Sequence, residues 1–354
     1  MIRWLLLASH VPPGGSGGGI VRYTVELARA LDQRKDVQLN VLSQREAVDW
    51  WATLLPPDRI HPLPSLPTPA LSLVERYGTA LPVFRERWDV VHGTKHLLPR
   101  RVRGRAVLTL HDFLPLDRPG DFGTLKRHLL PGPYLASAAG ADVLLSVSTA
   151  TATRLGSYLP AASDRVRVVP LANEAPSLRS APTPIAALEN ETFAVVVGDA
   201  NYRKNLPLVV DAWPAVREEV PAAMLAVIGP EPWGATRTHT SRDVDPGVLF
   251  CGRVADAELH WAYRNATVAL CPSILEGFGL PTVEALRLGT PVVTSEDPAL
   301  CEASGQRATH ISALETVAWR SAIIDHFRTP KRQPPMPART WTDVANDTVE
   351  AVIG

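Results

Sequence analysis

Pro272-Ser273-Ile274-Leu275-Glu276-Gly277-Phe278-Gly279-Leu280-Pro281-Thr282-Val283-Glu284-Ala285-Leu286 is the segment from which the rest of the chain can be read. The apolar run over 267–271 reads as a strand, and a glycine-punctuated loop follows it. Pro281 then stands where a helix starts, the position that tolerates proline best. The first-turn amides of such a helix, with those of a Gly-x-Gly loop, make a natural cradle for an anion, and the helix terminus adds about half a positive charge. Glu276 and Glu284 flank the cradle. A carboxylate does not bind phosphate but accepts hydrogen bonds from sugar hydroxyls, so the segment reads as a receptor for a phosphate joined to sugars. The other reading takes Gly277 and Gly279 as turn residues, Glu276 as solvated and Glu284 as a favourable first-turn charge.

On either side of this segment, short β-branched or leucine-rich runs alternate with amphipathic stretches, the pattern of a parallel α/β sheet. Strands are expected at 2–9, 37–43, 88–92, 106–110, 142–147 and 165–169, with helices at 19–31, 70–87, 122–139 and 149–158. Residues 172–192 carry several prolines and no periodicity, and read as a linker. A second series then opens at Phe193-Ala194-Val195-Val196-Val197-Gly198. Its strands fall near 193–198, 223–228, 248–251, 267–271 and 290–294, its helices near 206–219, 256–265, 282–288 and 313–327. A last helix is expected at 341–352. Two α/β domains of similar size predict a cleft between them, with ligands at the carboxyl ends of strands.

Composition narrows the function. The 354 residues include 36 basic and 36 acidic side chains, for zero net charge, and 45% are hydrophobic. That is a globular chain of about two domains, without the basic excess of a nucleic-acid binder. Cys251, Cys271 and Cys301 form no Cys-x-x-Cys pair, which disfavours a disulfide scaffold or structural zinc. The run Trp4-Leu5-Leu6-Leu7-Ala8 is too short for a signal sequence or a membrane span and reads as a buried strand. A cytoplasmic protein is expected.

Three further segments carry candidate chemistry. Gly198-Asp199-Ala200-Asn201-Tyr202-Arg203-Lys204-Asn205-Leu206 places adjacent cations between a strand end and a helix; arginine as a planar fork and lysine as a point charge suit a diphosphate, and an exposed basic pair is the plainer reading. Gly14-Gly15-Ser16-Gly17-Gly18-Gly19 allows close backbone approach but matches neither the dinucleotide nor the P-loop fingerprint. His111-Asp112 ends the strand 106–110. The arginine cluster Arg100-Arg101-Val102-Arg103-Gly104-Arg105, together with Trp50-Trp51, could face an anionic membrane or a charged acceptor, and a solvated loop is the plainer reading.

Taken in order, these segments resemble the retaining glycosyltransferases of family 4, which have the GT-B fold, over nearly the whole chain. Gly18-Gly19-Ile20-Val21-Arg22-Tyr23-Thr24-Val25-Glu26-Leu27 is similar to the family's glycine loop and first helix. Asp89-Val90-Val91-His92-Gly93, His111-Asp112, the segment 198–205 and the segment 272–293 fall where the family has its counterparts. Trp341-Thr342-Asp343-Val344-Ala345 resembles its closing helix. The resemblance implies an α/β protein of two Rossmann-like domains facing across a cleft: residues 1–175 for the acceptor, 190–338 for the nucleotide-sugar donor, and a helix over 340–354 that returns to the N-terminal domain.

The resemblance also implies roles. Glu284 holds the donor ribose and Glu276 the transferred sugar. Arg203, Lys204 and the loop amides of Gly277, Phe278, Gly279 and Leu280 neutralise the diphosphate. Val254 lies against the nucleobase, His111 beside the anomeric centre, and Gly18 and Gly19 at the diphosphate and acceptor side. Asp199 stands where the family often has arginine, so Arg203 must supply the second cation. Pro170-Leu171-Ala172-Asn173 replaces the usual Pro-Asn-Gly before the linker, and Cys301 a common proline. Asp243-Val244-Asp245 matches the Asp-x-Asp metal motif of another glycosyltransferase class, but its polar surroundings place it on a loop, and no metal or other cofactor is expected. The implied reaction moves a hexose, with GDP-mannose favoured over dTDP- or UDP-linked sugars because of the Arg-Lys-Asn variant, to a glycan, lipid-linked or small-molecule hydroxyl. At most peripheral membrane contact is expected. A nucleotide-sugar 2-epimerase of the same fold and a non-catalytic nucleotide-sugar binder are the alternatives.

Overall fold

The computed structural model describes every residue except 67, 79–80, 124–126, 129, 200 and 231–244, and gives backbone alone at 68–70 and 72. The chain divides into two compact units, Met1–Leu171 with Thr340–Gly354, and Ala172–Arg339. Each is built on one parallel sheet covered by helices, the α/β architecture that the alternation of runs predicts.

The first sheet has seven strands: β1 (Ile2–Leu7), β2 (Val37–Gln44), β3 (Ile60–Leu63), β4 (Val90–Gly93), β5 (Arg105–Leu110), β6 (Val143–Ser146) and β7 (Val166–Val168). Their order is β3-β2-β1-β4-β5-β6-β7. Parallel strands covered on both faces need unbroken apolar runs, which is why Trp4, Leu5 and Leu6 are wholly buried in β1. Each such side chain contributes about 1.5–3 kcal/mol when fully buried. The helix Gly19–Asp32 packs against the last helix, Trp341–Ile353. Thr340 opens that last helix: its hydroxyl accepts from the Asp343 amide, and the Asp343 carboxylate accepts from the Thr340 amide at 2.7 Å.

The second sheet has six strands: β8 (Thr192–Val197), β9 (Ala223–Ile228), β10 (Val248–Gly252), β11 (Val268–Cys271), β12 (Val292–Ser295) and β13 (Thr309–Ile311), in the order β10-β9-β8-β11-β12-β13. Strand order reverses between β1 and β4 in the first unit and between β8 and β11 in the second. Carboxyl ends at such reversals are where open α/β sheets bind ligands.

Several elements depart from the sequence reading. The strands β3 and β13 lie at sheet edges, where short segments such as Ile60-His61-Pro62-Leu63 pair despite a proline. The single helix expected over 70–87 is two, Thr68–Tyr77 and Pro82–Arg85, because Gly78 and Pro82 interrupt it. Over 122–139 the described helix is Pro131–Gly140, with proline at its start. A helix absent from the reading, Pro298–Ser304, is capped by the Asp297 side chain.

The stretch 172–192 is not a free linker. Asn173 donates from Nδ2 to the Pro337 carbonyl at 2.7 Å and accepts at Oδ1 from the Arg339 amide at 2.9 Å. His260 Nδ1 donates to the Ser180 carbonyl at 2.9 Å, and Ile185 and Leu188 join the core around Phe193 and Tyr263. Prolines and missing periodicity signal irregular backbone, not absence of packing.

Candidate functional site

In the second unit the loops after β8 and β11 meet at the sheet reversal. Beyond β8 the turn Tyr202–Lys204 is closed by Asn201, whose Oδ1 accepts from the Lys204 amide at 3.2 Å. Asn205 follows at φ 51°, in the left-handed region that asparagine tolerates better than most residues, and its Nδ2 donates to the Ala313 carbonyl at 3.0 Å. The Ile274 amide donates to the Arg203 carbonyl at 2.7 Å, which knits the two loops together.

Their side chains converge on one carboxylate. Arg203 Nη1 lies 2.9 Å from Glu276 Oε2, and Lys204 Nζ lies 2.5 Å from Glu276 Oε1. Burial alone raises a carboxyl, but Lys204 and Arg203 outweigh it here and hold Glu276 at about 2. The cations are thus not an exposed basic pair: one part-buried carboxylate is the partner of both. A small cavity of about 20 Å³, enough for one water, is lined by Gly198, Lys204, Cys271, Ser273, Glu276 and Thr282.

Gly277 and Phe278 carry the loop to Gly279, which precedes the helix Leu280–Arg287. Gly279 has φ +96°, and a Cβ there would come within 2.4 Å of Leu300 Cδ2, so this position requires glycine. The amides of Thr282 and Val283 turn back to the Gly279 carbonyl at 3.0 and 3.3 Å, and Pro281 has none. Any anion cradle is therefore confined to the amides of residues 277–280. Glu284 lies one turn on, buried, and Tyr263 donates to its Oε2 at 3.3 Å, a partner the sequence reading missed. The two carboxylates share a neighbour: burial first, then Glu276 and Glu284, push the Cys271 thiol up to about 11. Val254 follows β10 and packs on the core that contains Tyr263.

The other sequence candidates lie in the first unit. His111, buried beyond the end of β5, donates from Nε2 to the Thr94 carbonyl at 3.0 Å, which leaves the lone pair on Nδ1. Burial lowers its imidazole to about 4 against the pull of Asp112, so it is neutral at pH 7. Asp112 does not pair with it; Asp112 Oδ1 accepts from the Leu114 amide at 3.0 Å. Tyr23 stands edge-on to His111 at 4.7 Å between ring centroids. Beside them Thr94 donates to the Leu7 carbonyl at 2.9 Å, Thr24 donates to Thr94 at 3.0 Å, and His10 Nε2 lies 3.0 Å from the Thr24 hydroxyl. None of these partners was legible in sequence.

Gly18 and Gly19 are exposed at the start of the helix Gly19–Asp32, where the Arg22 amide donates to the Gly18 carbonyl at 3.1 Å. Earlier in the loop, Gly15 (φ +67°) rests on Trp50, whose ring a Cβ would enter at 1.9 Å. Trp51 is wholly buried, so the tryptophan pair is not a membrane-facing surface, contrary to one of the sequence readings. Of the arginine cluster, Arg105 donates to the Val352 carbonyl and Arg100 covers the Tyr77 ring at 5.6 Å. Asp243 lies outside the described residues. Asp245 accepts from Arg217 at 3.0 Å and from the Gly247 amide at 2.7 Å, so it serves as a turn and ion-pair residue.

Comparison with known proteins bears on the family and the fold. Residues 182–315 match the family described as Glycosyl transferases group 1, and residues 17–172 the one described as Glycosyltransferase Family 4. The chain is 26% identical over 253 residues to an O-antigen chain mannosyltransferase of Escherichia coli, spanning 66% of this chain and 65% of that protein. It is 24% identical over 320 residues to an O-antigen chain mannosyltransferase of Salmonella typhimurium, spanning 88% and 87%. Among solved structures it is similar to a sucrose-phosphate synthase of Thermosynechococcus elongatus, with a TM-score of 0.68 at 18% identity over 99% of this chain and 95% of that one. WaaG, a glycosyltransferase involved in lipopolysaccharide biosynthesis, gives 0.66 at 16% identity over 99% and 95%. At such identities the structures speak for the fold, and the family matches for the class of enzyme. The chain belongs to the group 1, family 4 glycosyltransferases and has their GT-B fold.

Proposed function

We propose that this glycosyltransferase is retaining and metal-independent, and that it moves a hexose from a nucleoside diphosphate sugar to a hydroxyl of a glycan, lipid-linked or small-molecule acceptor. Mannose from GDP-mannose is the favoured donor, supported by the Arg203-Lys204-Asn205 sequence and by relatives named mannosyltransferases. The observation that carries the reading is the cluster of Arg203, Lys204 and Glu276 at the ends of β8 and β11.

Breaking the anomeric C–O bond leaves the electron pair on the β-phosphate and an oxocarbenium-like charge on the sugar. Arg203 and Lys204, already fixed, receive the phosphate charge without reorganisation, and one preorganised donor of this kind is worth about 3 kcal/mol in the barrier. Two side-chain cations and a helix terminus supply the positive charge that a divalent metal provides elsewhere. Glu276 accepts from the transferred sugar, Glu284 from the ribose, and neutral His111 from a sugar hydroxyl through Nδ1. The acceptor oxygen attacks on the face the phosphate leaves, its proton passes to that phosphate, and the anomeric configuration is kept. No described helix is long and apolar enough to cross a membrane. Our reading places the reaction in the cytoplasm or peripherally at the inner membrane face.

A thermal-shift panel of GDP, UDP, dTDP and their sugars, with and without EDTA, tests this. GDP and GDP-mannose should raise the unfolding temperature equally in both conditions. No shift from any nucleotide would overturn the donor assignment, and a shift abolished by EDTA would overturn metal independence. Glu284→Ala should weaken nucleotide binding, whereas Glu276→Ala should mainly lower turnover, with product configuration read by NMR.

A further inference from the structure

The reversal point of the first sheet carries a second group of polar side chains that the donor chemistry does not use. Glu75, on the helix Thr68–Tyr77, is 8% exposed, and its Oε1 has no hydrogen-bond partner. Burial pushes this carboxyl up, while Ser9 and Lys95 beside it draw it back. Lys95 also faces His10 and His96, and His10 and His96 both face His111. Ser9 and His10 follow β1, Lys95 and His96 follow β4, and His111 follows β5, so three adjacent strands deliver them to one end of the sheet. The Nδ1 of His96 is buried and lacks a partner too.

The chemistry of the missing partners restricts what this group takes. A buried oxygen that nothing donates to costs free energy, and an apolar residue of similar size would be neutral or better there for stability alone. Ser9 hydrogen-bonds the carboxyl, so what is missing is a donor to Oε1 alone. A carboxylate at neutral pH brings none, and a phosphate, although it keeps a P–OH, brings its negative charge against the carboxylate of Glu75. A hydroxyl donates to the carboxylate, and a neighbouring hydroxyl oxygen accepts from the Lys95 ammonium. Adjacent hydroxyls on a sugar ring present this pair together.

We propose that Glu75 and Lys95, flanked by His10 and His96, form an acceptor subsite next to His111 that holds two neighbouring hydroxyls of an uncharged sugar. The proposal rests on the reading that His111 marks the sugar side of the reaction, and it adds the residues and the charge class of the acceptor.

Saturation-transfer NMR on the full chain tests it, with methyl α-mannoside, methyl β-glucoside and methyl β-galactoside as probes and inorganic phosphate as competitor. At least one glycoside should be saturated by the protein and should not be displaced by phosphate. Glu75→Leu and Lys95→Met should each reduce that signal about fivefold or more, as expected for a lost hydrogen bond. Glu75→Leu should unfold at the same temperature or higher and keep its GDP-induced shift. Absence of glycoside binding, displacement by phosphate, or undiminished binding in both variants would overturn the subsite. So would a lowered unfolding temperature in Glu75→Leu with binding intact, which marks a purely structural residue. Failure of every nucleotide to bind the unaltered chain strikes the donor reading instead, and the two failures are told apart.

Discussion

Burial lowers the imidazoles of His92 and His96 to about 3 and that of His111 to about 4, and it lowers His10 as well. In an unfolded chain each titrates near 6.5. Between those values the unfolded state binds the extra protons, so stability from neutral burial is fully present above about 6.5 and is lost as pH falls below it. Each group contributes a slope of about 1.4 kcal/mol per pH unit in that window. His92, wholly buried and bonded only through Nε2 to Thr109 at 2.7 Å, is the cleanest test. His92→Asn should remove about one proton's worth of slope from the urea-unfolding free energy between about pH 6 and pH 4. An unchanged slope would show that His92 does not fold neutral. Glu276 works in a lower window: held at about 2 against an ordinary 4.5, it stabilises above 4.5, and that contribution is lost as pH falls towards 2. His111 was legible in sequence because it ends an apolar strand. His10, Thr24 and Thr94 were not, because their bonds span 14 and 70 residues and no local pattern records them.

Among the elements, the passage from β11 through the glycine loop to the helix Leu280–Arg287 is the most legible, since every determinant is local. Gly279 gives it a sharp test. Gly279→Ala combines a positive φ with a clash on Leu300, and should cost about 1–3 kcal/mol from backbone strain alone, measured by urea unfolding. Adding Leu300→Ala should relieve the clash at that position but not the strain. A neutral Gly279→Ala would mean that the loop has another conformation. The strands β3 (Ile60-His61-Pro62-Leu63) and β13 (Thr309-His310-Ile311) were illegible for the opposite reason: a proline and polar residues break the apolar run that marked the other strands. Asn173 likewise looked like one polar residue in a proline-rich stretch, while its side-chain partners lie more than 160 residues away.

At the scale of the molecule, zero net charge was an average over strongly local chemistry: the part-buried cluster joins the adjacent cations Arg203 and Lys204 to Glu276, 73 and 72 residues further along the chain. The two sheets were legible from the alternation of runs, and so were the last helix and the break after Leu171, but not that the stretch 172–192 belongs to the second unit. The helix Trp341–Ile353 buries Trp341, Val344, Ala345, Val349 and Val352 in the first unit. Large apolar side chains contribute about 1.5–3 kcal/mol each on burial, and a domain holds only about 5–15 kcal/mol in total. A chain ending at Arg339 should therefore lose amide protection across β1–β7 in hydrogen exchange while β8–β13 stay protected. Equal protection in both sheets would show that the helix is dispensable.

The chain enters the second unit once and leaves it once, so the first unit is assembled from two segments that flank the second in sequence. A single cut in the exposed stretch 179–184 then cannot release either piece. The fragment that starts after the cut still has its final helix embedded in the fragment that ends before it. Covalent continuity at this point is not what holds the protein together, and the same split, made in the gene, yields two polypeptides that share one folded unit and must find each other to complete it.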